Sequence, residues 1–217
     1  MSLPADLAER YDGWQVTEAY HHVAGRPTYR LSRDGDTRYV KVLPVGSERE
    51  LIDEAARLRW AADLLPVPRI VEQGNDGEVC WLMTAGLPGV AAHSHPWRAS
   101  APENLAGALG AGLRWLHDSV PAFECPFPLV AAEGPDEVVL HGDFSLPNVL
   151  LIDGAVSGLL DVGGLGAGDR WWDVAVGLKS LAYNCGPGYE EAFLTAYGLP
   201  PAHDRISAHR ATYDALP

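Results

Sequence analysis

Short apolar runs joined by turn dipeptides recur in two places along the chain, as in antiparallel strands. Residues 28–33 and 37–43 flank Asp34-Gly35, which favours a two-residue hairpin turn. The stretch 148–161 is likewise two apolar runs around Asp153-Gly154. We therefore expect one β-hairpin in the first third of the chain and another in the last third.

In other parts of the chain the apolar residues recur at the spacing of a helix. Ser47–Glu50 has the sequence of a capping box, and Pro66 and Pro68 are expected to end the helix that follows. Further helices are predicted over 101–117 and over Tyr189–Tyr197. The apolar positions at helical spacing are Leu51, Ala55, Leu58, Ala62 and Leu65 in the first helix and Leu105, Leu109, Leu113 and Leu116 in the second.

These patterns predict an α+β fold with a small antiparallel-sheet lobe followed by a mainly helical lobe. We expect the first lobe over residues 1–83, a connector over 84–92 and the second lobe over 93–217. A chain of 217 residues with 47% hydrophobic content is long enough to bury a core in this way.

The second hairpin carries oxygen ligands at its open end, where Asn148 precedes it and Asp161 ends it. Magnesium takes such ligands and usually keeps waters and substrate phosphates beside them. Asp143, five residues before Asn148, is then placed to orient a hydroxyl group and accept its proton. This spacing is the set that phosphoryl transfer from Mg-ATP requires, so it predicts a kinase. The expected pairs in the hairpin are Ile152 with Ala155 and Leu150 with Ser157.

A kinase of this kind also needs a lysine for the nucleotide phosphates, and Lys41 is the candidate. Its side chain is expected on the strand face opposite its two valine neighbours. Glu54, beside the apolar stripe of the next helix, is placed to pair with it. Glu50 and Asp53 are the competing acids.

The turn over 23–28 precedes the first of these strands and contains Gly25 and Arg26. Its backbone N–H groups are candidates to cover the phosphates. Because it has a single glycine, a plain hairpin connection is the alternative.

From about Tyr20 to Tyr213 the chain resembles the aminoglycoside phosphotransferase family, and most closely its 3'-phosphotransferase branch. That resemblance implies a protein-kinase-like two-lobed fold and transfer of the ATP γ-phosphoryl group to an aminoglycoside 3'-hydroxyl. The segments that carry it are Asp53–Leu58, Trp81–Thr84, His141–Asn148, Gly168–Arg170, Asp173–Ala175 and Gly186–Gly198.

The resemblance also implies roles for single residues. Asp143 is the expected catalytic residue, Asn148 and Asp161 the magnesium ligands, and Lys41 with Glu54 the phosphate-binding pair. His141 and Asp173 are expected to brace the catalytic loop, and Asp214 is a candidate contact for substrate amines. The expected hinge, whose backbone would meet adenine, comprises Met83, Thr84, Ala85 and Gly86.

Three departures from the family pattern concern the second magnesium site, the hinge and the acceptor pocket. Gly164 stands where an arginine is common, and Ala85 where the hinge often has an acidic residue. Residues 118–140 are too few for the helices that usually form one wall of the antibiotic pocket. Two alternatives therefore stay open: a kinase for another hydroxylated metabolite or antibiotic, and a nucleotide-binding relic that no longer transfers phosphate.

The charge composition indicates which classes of molecule this protein binds. Sixteen basic residues face 29 acidic ones, giving a net charge of −13, which argues against nucleic acid or anionic membrane surfaces and suits a small cationic substrate. No apolar run approaches the roughly 20 residues of a membrane-spanning helix, and the N-terminus lacks a basic and apolar leader. We therefore expect a cytoplasmic protein.

Overall fold

A computed structural model describes residues 3–20, 26–132 and 136–216, and the chain divides into two compact units. The first unit contains the residues up to 62 together with 68–87, and the second contains 63–67 and the chain from 88 onward. The predicted connector over 84–92 is thus divided between the two units.

The first unit is a sheet with two helices. Its five described strands are all antiparallel and lie in the order β1-β2-β3-β5-β4. Asp34 and Gly35 both have positive φ in the turn between β2 and β3, as the dipeptide predicted. The elements are α1 (Ala5–Arg10), β1 (Gln15–Tyr20), β2 (Thr28–Arg33), β3 (Asp36–Pro44), α2 (Glu48–Ala61), β4 (Ile70–Asn75) and β5 (Val79–Ala85).

The apolar core of this unit covers one face of the sheet. Val40 and Val42 of β3 are buried there with Leu7 of α1 and Met83 of β5. Because side chains alternate along a strand, Lys41 lies on the other face. The buried side of α2, which includes Leu51, Ala55 and Leu58, supplies further core residues.

The predicted start of α2 is confirmed, but the predicted capping box is wrong. Ser47 makes no side-chain cap, and its carbonyl instead accepts the Glu50 N–H at 3.1 Å. The Glu48 carboxylate turns back and accepts the Gly46 N–H at 2.8 Å. The helix ends at Ala61, before Pro66.

The second unit is mainly helical, and the predicted α+β class is confirmed. Two small antiparallel sheets, β6-β8-β9 and β10-β7, accompany its helices. The elements are β6 (Val90–Ala91), α3 (Trp97–Ser100), α4 (Pro102–Ser119), β7 (Glu137–Leu140), β8 (Val149–Ile152), β9 (Ala155–Leu159), β10 (Gly166–Asp169), α5 (Trp171–Cys185), α6 (Glu190–Tyr197) and α7 (His203–Asp214).

The second hairpin forms around Asp153-Gly154 with Ile152 opposite Ala155, as predicted. The predicted pair of Leu150 with Ser157 is wrong, because a register shift places Leu150 opposite Gly158. A bulge of one extra residue in β9 produces this shift. Beyond it the strands still close at the open end, where Leu160 N–H donates to the Asn148 carbonyl at 2.8 Å.

The segment between α4 and β7 is short and contains no α-helix among its described residues, 120–132 and 136. It forms a 3₁₀ turn at Ala122–Glu124 and a single bridge from Pro128 to Ala167 of β10. Among the described residues, no helix is both long and apolar enough to cross a membrane.

Candidate active site

Lys41 and Glu54 meet in the first unit. The Lys41 ammonium lies 2.6 Å from Glu54 Oε2, and the glutamate side chain is only 11% exposed. Burial from water strengthens such a pair and keeps the lysine in one orientation. The structure thus brings together the lysine and the helix glutamate that the sequence pattern paired.

The two competing acids have other partners. Glu50 forms a bidentate ion pair with Arg26, at 2.6 and 3.0 Å, and this contact raises the pKa of the arginine. Asp53 pairs with Arg49 one turn earlier on the helix. Arg26, expected over the phosphates, is therefore bound to α2, while Gly25 lies outside the described residues.

The expected hinge residues form the end of β5 and the position after it. Met83 is fully buried, and Met83 and Thr84 pair within the sheet. Ala85 N–H donates to the Arg69 carbonyl at 2.9 Å, and Gly86 N–H donates to the Thr37 carbonyl at 2.8 Å. Both N–H groups are thus used inside the first unit, so in this conformation they are not the donors for an adenine.

The catalytic loop of the second unit follows β7 and is held by a buried carboxylate. Asp173, in the first turn of α5, accepts the N–H groups of His141 and Gly142 at 2.6 and 2.9 Å. Trp172 donates its indole N–H to the Gly142 carbonyl at 2.8 Å. His141 and Asp173 are both fully buried, so the loop backbone is anchored where water cannot compete.

Gly142 is required by the path of this loop. Its φ is +88°, and a Cβ added there would lie 2.1 Å from the Gly164 carbonyl oxygen. Gly164 is the position at which the family pattern has arginine, and its backbone packs directly on the loop. The glycine that replaces the family's arginine therefore lies where two backbone segments touch, next to the loop that carries Asp143.

A second layer supports Asp173. His117 Nε2 lies 3.2 Å from its carboxylate, and His117 Nδ1 lies 2.7 Å from the Tyr197 hydroxyl. Burial lowers the pKa of His117 despite the neighbouring carboxylate, and burial raises the pKa of Tyr197 to about 12. The neutral imidazole thus accepts from Tyr197 and donates to Asp173.

Asp143 and Asn148 are in direct contact. The Asn148 amide nitrogen donates to Asp143 Oδ2 at 2.9 Å and to the Asp143 carbonyl at 3.1 Å. Asp143 N–H donates to His141 Nδ1 at 3.2 Å, so the histidine supports the aspartate backbone. His141 Nε2 has no hydrogen-bond partner in the described part of the chain.

Asp161 follows β9 in the left-handed conformation, with φ 55° and ψ 57°, and it is exposed. It precedes the 3₁₀ turn Val162–Gly164, which ends at the glycine packed on the catalytic loop. Burial is the main cause of the raised pKa of Tyr213, and the negative charges of Asp143, Asp214 and Asp161 add to it. Three carboxylates therefore act on one phenol.

Asp214 is not isolated at the chain end. It forms an ion pair with Lys179 of α5, so a substrate amine would have to compete with that lysine. The preceding residue, Tyr213, donates its hydroxyl to Asp143 Oδ1 at 3.0 Å.

Sequence reasoning missed Tyr213, together with the support of Asp173 by His117. Helical spacing offers no signal for either, because each contact joins residues that lie far apart in the chain.

Comparison with known proteins places the chain in one family. The profile of the phosphotransferase enzyme family (APH) matches residues 17–129 and 123–209. An aminoglycoside 3'-phosphotransferase of Streptomyces ribosidificus is 32% identical over 243 aligned positions, covering 89% of this chain and 90% of that protein. The alignment is longer than this chain, so the relative has residues without a counterpart here.

Solved structures agree. The crystal structure of an aminoglycoside 3'-phosphotransferase of type VIII superposes with a TM-score of 0.84 at 29% identity and covers 97% of both chains. An aminoglycoside phosphotransferase of Streptomyces rimosus in complex with ADP and streptomycin has a TM-score of 0.75 at 24% identity and covers 95% of both. The chain therefore belongs to the phosphotransferase enzyme family that includes the aminoglycoside 3'-phosphotransferases.

Proposed function

We propose that this enzyme transfers the γ-phosphoryl group of ATP to a hydroxyl group of an aminoglycoside, with the 3'-hydroxyl as acceptor. The observation that carries the proposal is the Asp143 carboxylate, which Asn148 holds on a loop anchored by the buried Asp173. This is the arrangement expected of a base that orients a hydroxyl group.

The reaction exchanges one P–O bond for another. The acceptor oxygen attacks the γ-phosphorus as the bond to the β–γ bridging oxygen breaks, and ADP leaves with that oxygen. Asp143 takes the proton of the hydroxyl group. Because the transition state needs little covalent help, most of the acceleration comes from positioning and charge neutralisation.

Lys41 is proposed to bind the α- and β-phosphates. Glu54 at 2.6 Å fixes the direction of its ammonium group. Arg26 and the turn before it are not assigned this role, since Arg26 is paired with Glu50.

Asn148 and Asp161 are the proposed magnesium ligands. The Asn148 side chain donates through its amide nitrogen to Asp143, so the amide oxygen is the atom it offers a cation. No group of three or more His, Cys, Asp or Glu side chains that could hold a metal occurs in the described ranges. Two protein oxygens with phosphates and water fit magnesium, which when bound would neutralise phosphate charge.

We propose an aminoglycoside as the acceptor for two reasons, the names of the relatives and the negative charge near Asp143. Streptomyces ribosidificus and Streptomyces fradiae relatives at 32% and 33% identity are aminoglycoside 3'-phosphotransferases. Burial and then the carboxylates of Asp143, Asp214 and Asp161 raise the pKa of Tyr213, so negative charge surrounds the phenol that contacts the base, although Lys179 pairs with Asp214. A polycationic substrate suits that field.

A second candidate keeps the kinase and changes the acceptor to another hydroxylated metabolite or antibiotic. The observation that favours it is the segment between α4 and β7, whose described residues contain no α-helix. A relative with 28% identity, a streptomycin 3''-kinase of Streptomyces griseus, acts at a different hydroxyl position.

The test is ADP release with kanamycin B and with its 3'-deoxy analogue tobramycin, measured in a coupled assay. We expect turnover with kanamycin B and none above background with tobramycin, because tobramycin has no 3'-oxygen to accept the phosphoryl group. Equal turnover would exclude the 3'-hydroxyl. Turnover with neither compound, but with another hydroxylated metabolite, would favour the second candidate.

A further inference from the structure

The Asp143 carboxylate is held from two different elements, one at each oxygen. Asn148 donates to Oδ2 at 2.9 Å from the start of the second hairpin, and Tyr213 donates to Oδ1 at 3.0 Å from the last turn of α7. Rotation of the carboxylate group would break both hydrogen bonds at once.

The ring of Tyr213 is placed by packing in the core of the second unit. It packs against a buried cluster that includes Val138, Leu140 and Trp172, with the Trp172 ring edge-on at a centroid distance of 5.9 Å. The Lys179 ammonium lies 5.0 Å from the centre of the Tyr213 ring and also pairs with Asp214. The phenol therefore reaches Asp143 from a ring that cannot swing away freely.

Trp172 links this ring to the catalytic loop. Its indole N–H donates to the Gly142 carbonyl, while its ring contacts Tyr213. The position of the phenol and the position of the loop thus share one buried side chain.

The hydroxyl of Tyr213 acts as a donor throughout the neutral range. Burial, followed by the negative charge of Asp143, raises the pKa of Tyr213, so the phenol keeps its proton. A carboxylate oxygen has two lone-pair sites, and one at Oδ1 is therefore left for the hydroxyl group of an acceptor.

We propose that Tyr213 is a positioning residue that holds the Asp143 carboxylate in the orientation needed to accept the acceptor's proton. This inference rests on the proposed function of Asp143 as the base. The residue acts through Asp143 and touches neither nucleotide nor acceptor.

The first experiment compares Tyr213→Phe with Tyr183→Phe, the same change at a residue that is 90% exposed. The phenylalanine ring retains the packing against Trp172 and removes only the hydrogen bond. We expect kcat of Tyr213→Phe to fall by about 10-fold to 100-fold, the usual worth of a hydrogen bond to a charged group. The KM values for ATP and kanamycin B should stay within about twofold, as expected for an interaction that does not contribute to substrate binding.

Three results would overturn the inference. An unchanged kcat would show that the hydrogen bond does not matter. A higher kcat would show that the phenol occupies the place of the acceptor hydroxyl. A raised KM for kanamycin B with unchanged kcat would show that Tyr213 contacts the acceptor itself.

The second experiment needs no turnover, so it separates this inference from the proposed function. The alkaline titration of the tyrosines is followed by ultraviolet absorbance, and the transition missing in Tyr213→Phe is assigned to Tyr213. Because Asp143 raises the pKa of this phenol, Asp143→Asn should move that transition to lower pH. A transition unmoved by Asp143→Asn would refute the contact, whereas a chain that transfers no phosphate at all would refute the proposed function.

Discussion

At the scale of single residues, the site depends on close contacts that leave little room for substitution. Gly142 is the clearest case, since its backbone is left-handed and a Cβ would lie 2.1 Å from the carbonyl oxygen of Gly164. Gly198 has the same φ of +88°, but its Cβ would meet only the end of the Arg114 side chain, at 3.5 Å. Alanine substitutions at these two glycines therefore share the cost of a left-handed backbone, and only the one at Gly142 adds the cost of crowding.

We predict that Gly142→Ala destabilises the protein by at least about 2 kcal/mol more than Gly198→Ala, because both pay for positive φ but only Gly142 collides with backbone. Chemical denaturation measures the two free energies of unfolding. Equal losses would mean that the loop can move away from Gly164 at little cost.

The spacing of residues along the sequence predicted some contacts of the site but not others. Lys41 and Glu54 lie 13 residues apart on adjoining elements, and the sequence predicted their contact. Asp143 and Asn148 were predicted to serve one site in separate roles, but the hydrogen bond between them was not predicted. Tyr213 lies 70 residues from Asp143, and no local period records such a contact.

At the scale of elements, helices α4, α5 and α6 together hold the catalytic loop. Tyr197 of α6 donates to His117 of α4, and His117 donates to Asp173 of α5, which accepts the loop N–H groups. The sequence pattern predicted a helix over 101–117, where α4 lies, and one over Tyr189–Tyr197, where α6 lies, but it predicted no helix at α5. It did not predict the bulge in β9, because an alternating pattern does not reveal an inserted residue.

We predict that this network makes stability depend on pH through His117. Burial lowers the pKa of His117 in the folded state, so the unfolded state binds the proton at higher pH. Stability contributed by the neutral imidazole is therefore complete above about pH 6.5 and falls by about 1.4 kcal/mol per pH unit below it, until the lower folded pKa is reached.

Unfolding free energies measured from pH 8 to pH 5 test this for the wild type, His117→Gln and His203→Gln. His117→Gln should be less stable than the wild type at pH 8 but lose less stability on acidification. His203→Gln, the same change at an exposed histidine, is the matched control. An identical slope in His117→Gln would contradict the assignment.

At the scale of the whole molecule, the fold and family are secure on both the sequence pattern and the comparisons, with a family profile covering most of the chain. The identity of the acceptor substrate could not be predicted from the sequence pattern. Specificity depends on the walls of a pocket, and in this chain the segment between α4 and β7 is reduced to a turn and a bridge in its described residues.

The central claim is that Asp143 takes the proton of an acceptor hydroxyl during phosphoryl transfer. The most direct test is transfer of radiolabelled γ-phosphate from ATP to kanamycin B by Asp143→Asn and by Asp153→Asn, a matched change in the exposed turn of the second hairpin. We predict that Asp143→Asn lowers kcat by about 10² to 10⁴, the usual contribution of a general base, with ATP binding unchanged, while Asp153→Asn retains wild-type turnover. An Asp143→Asn enzyme with kcat within about tenfold of the wild type would contradict the claim, because a base that matters this little does not carry the reaction.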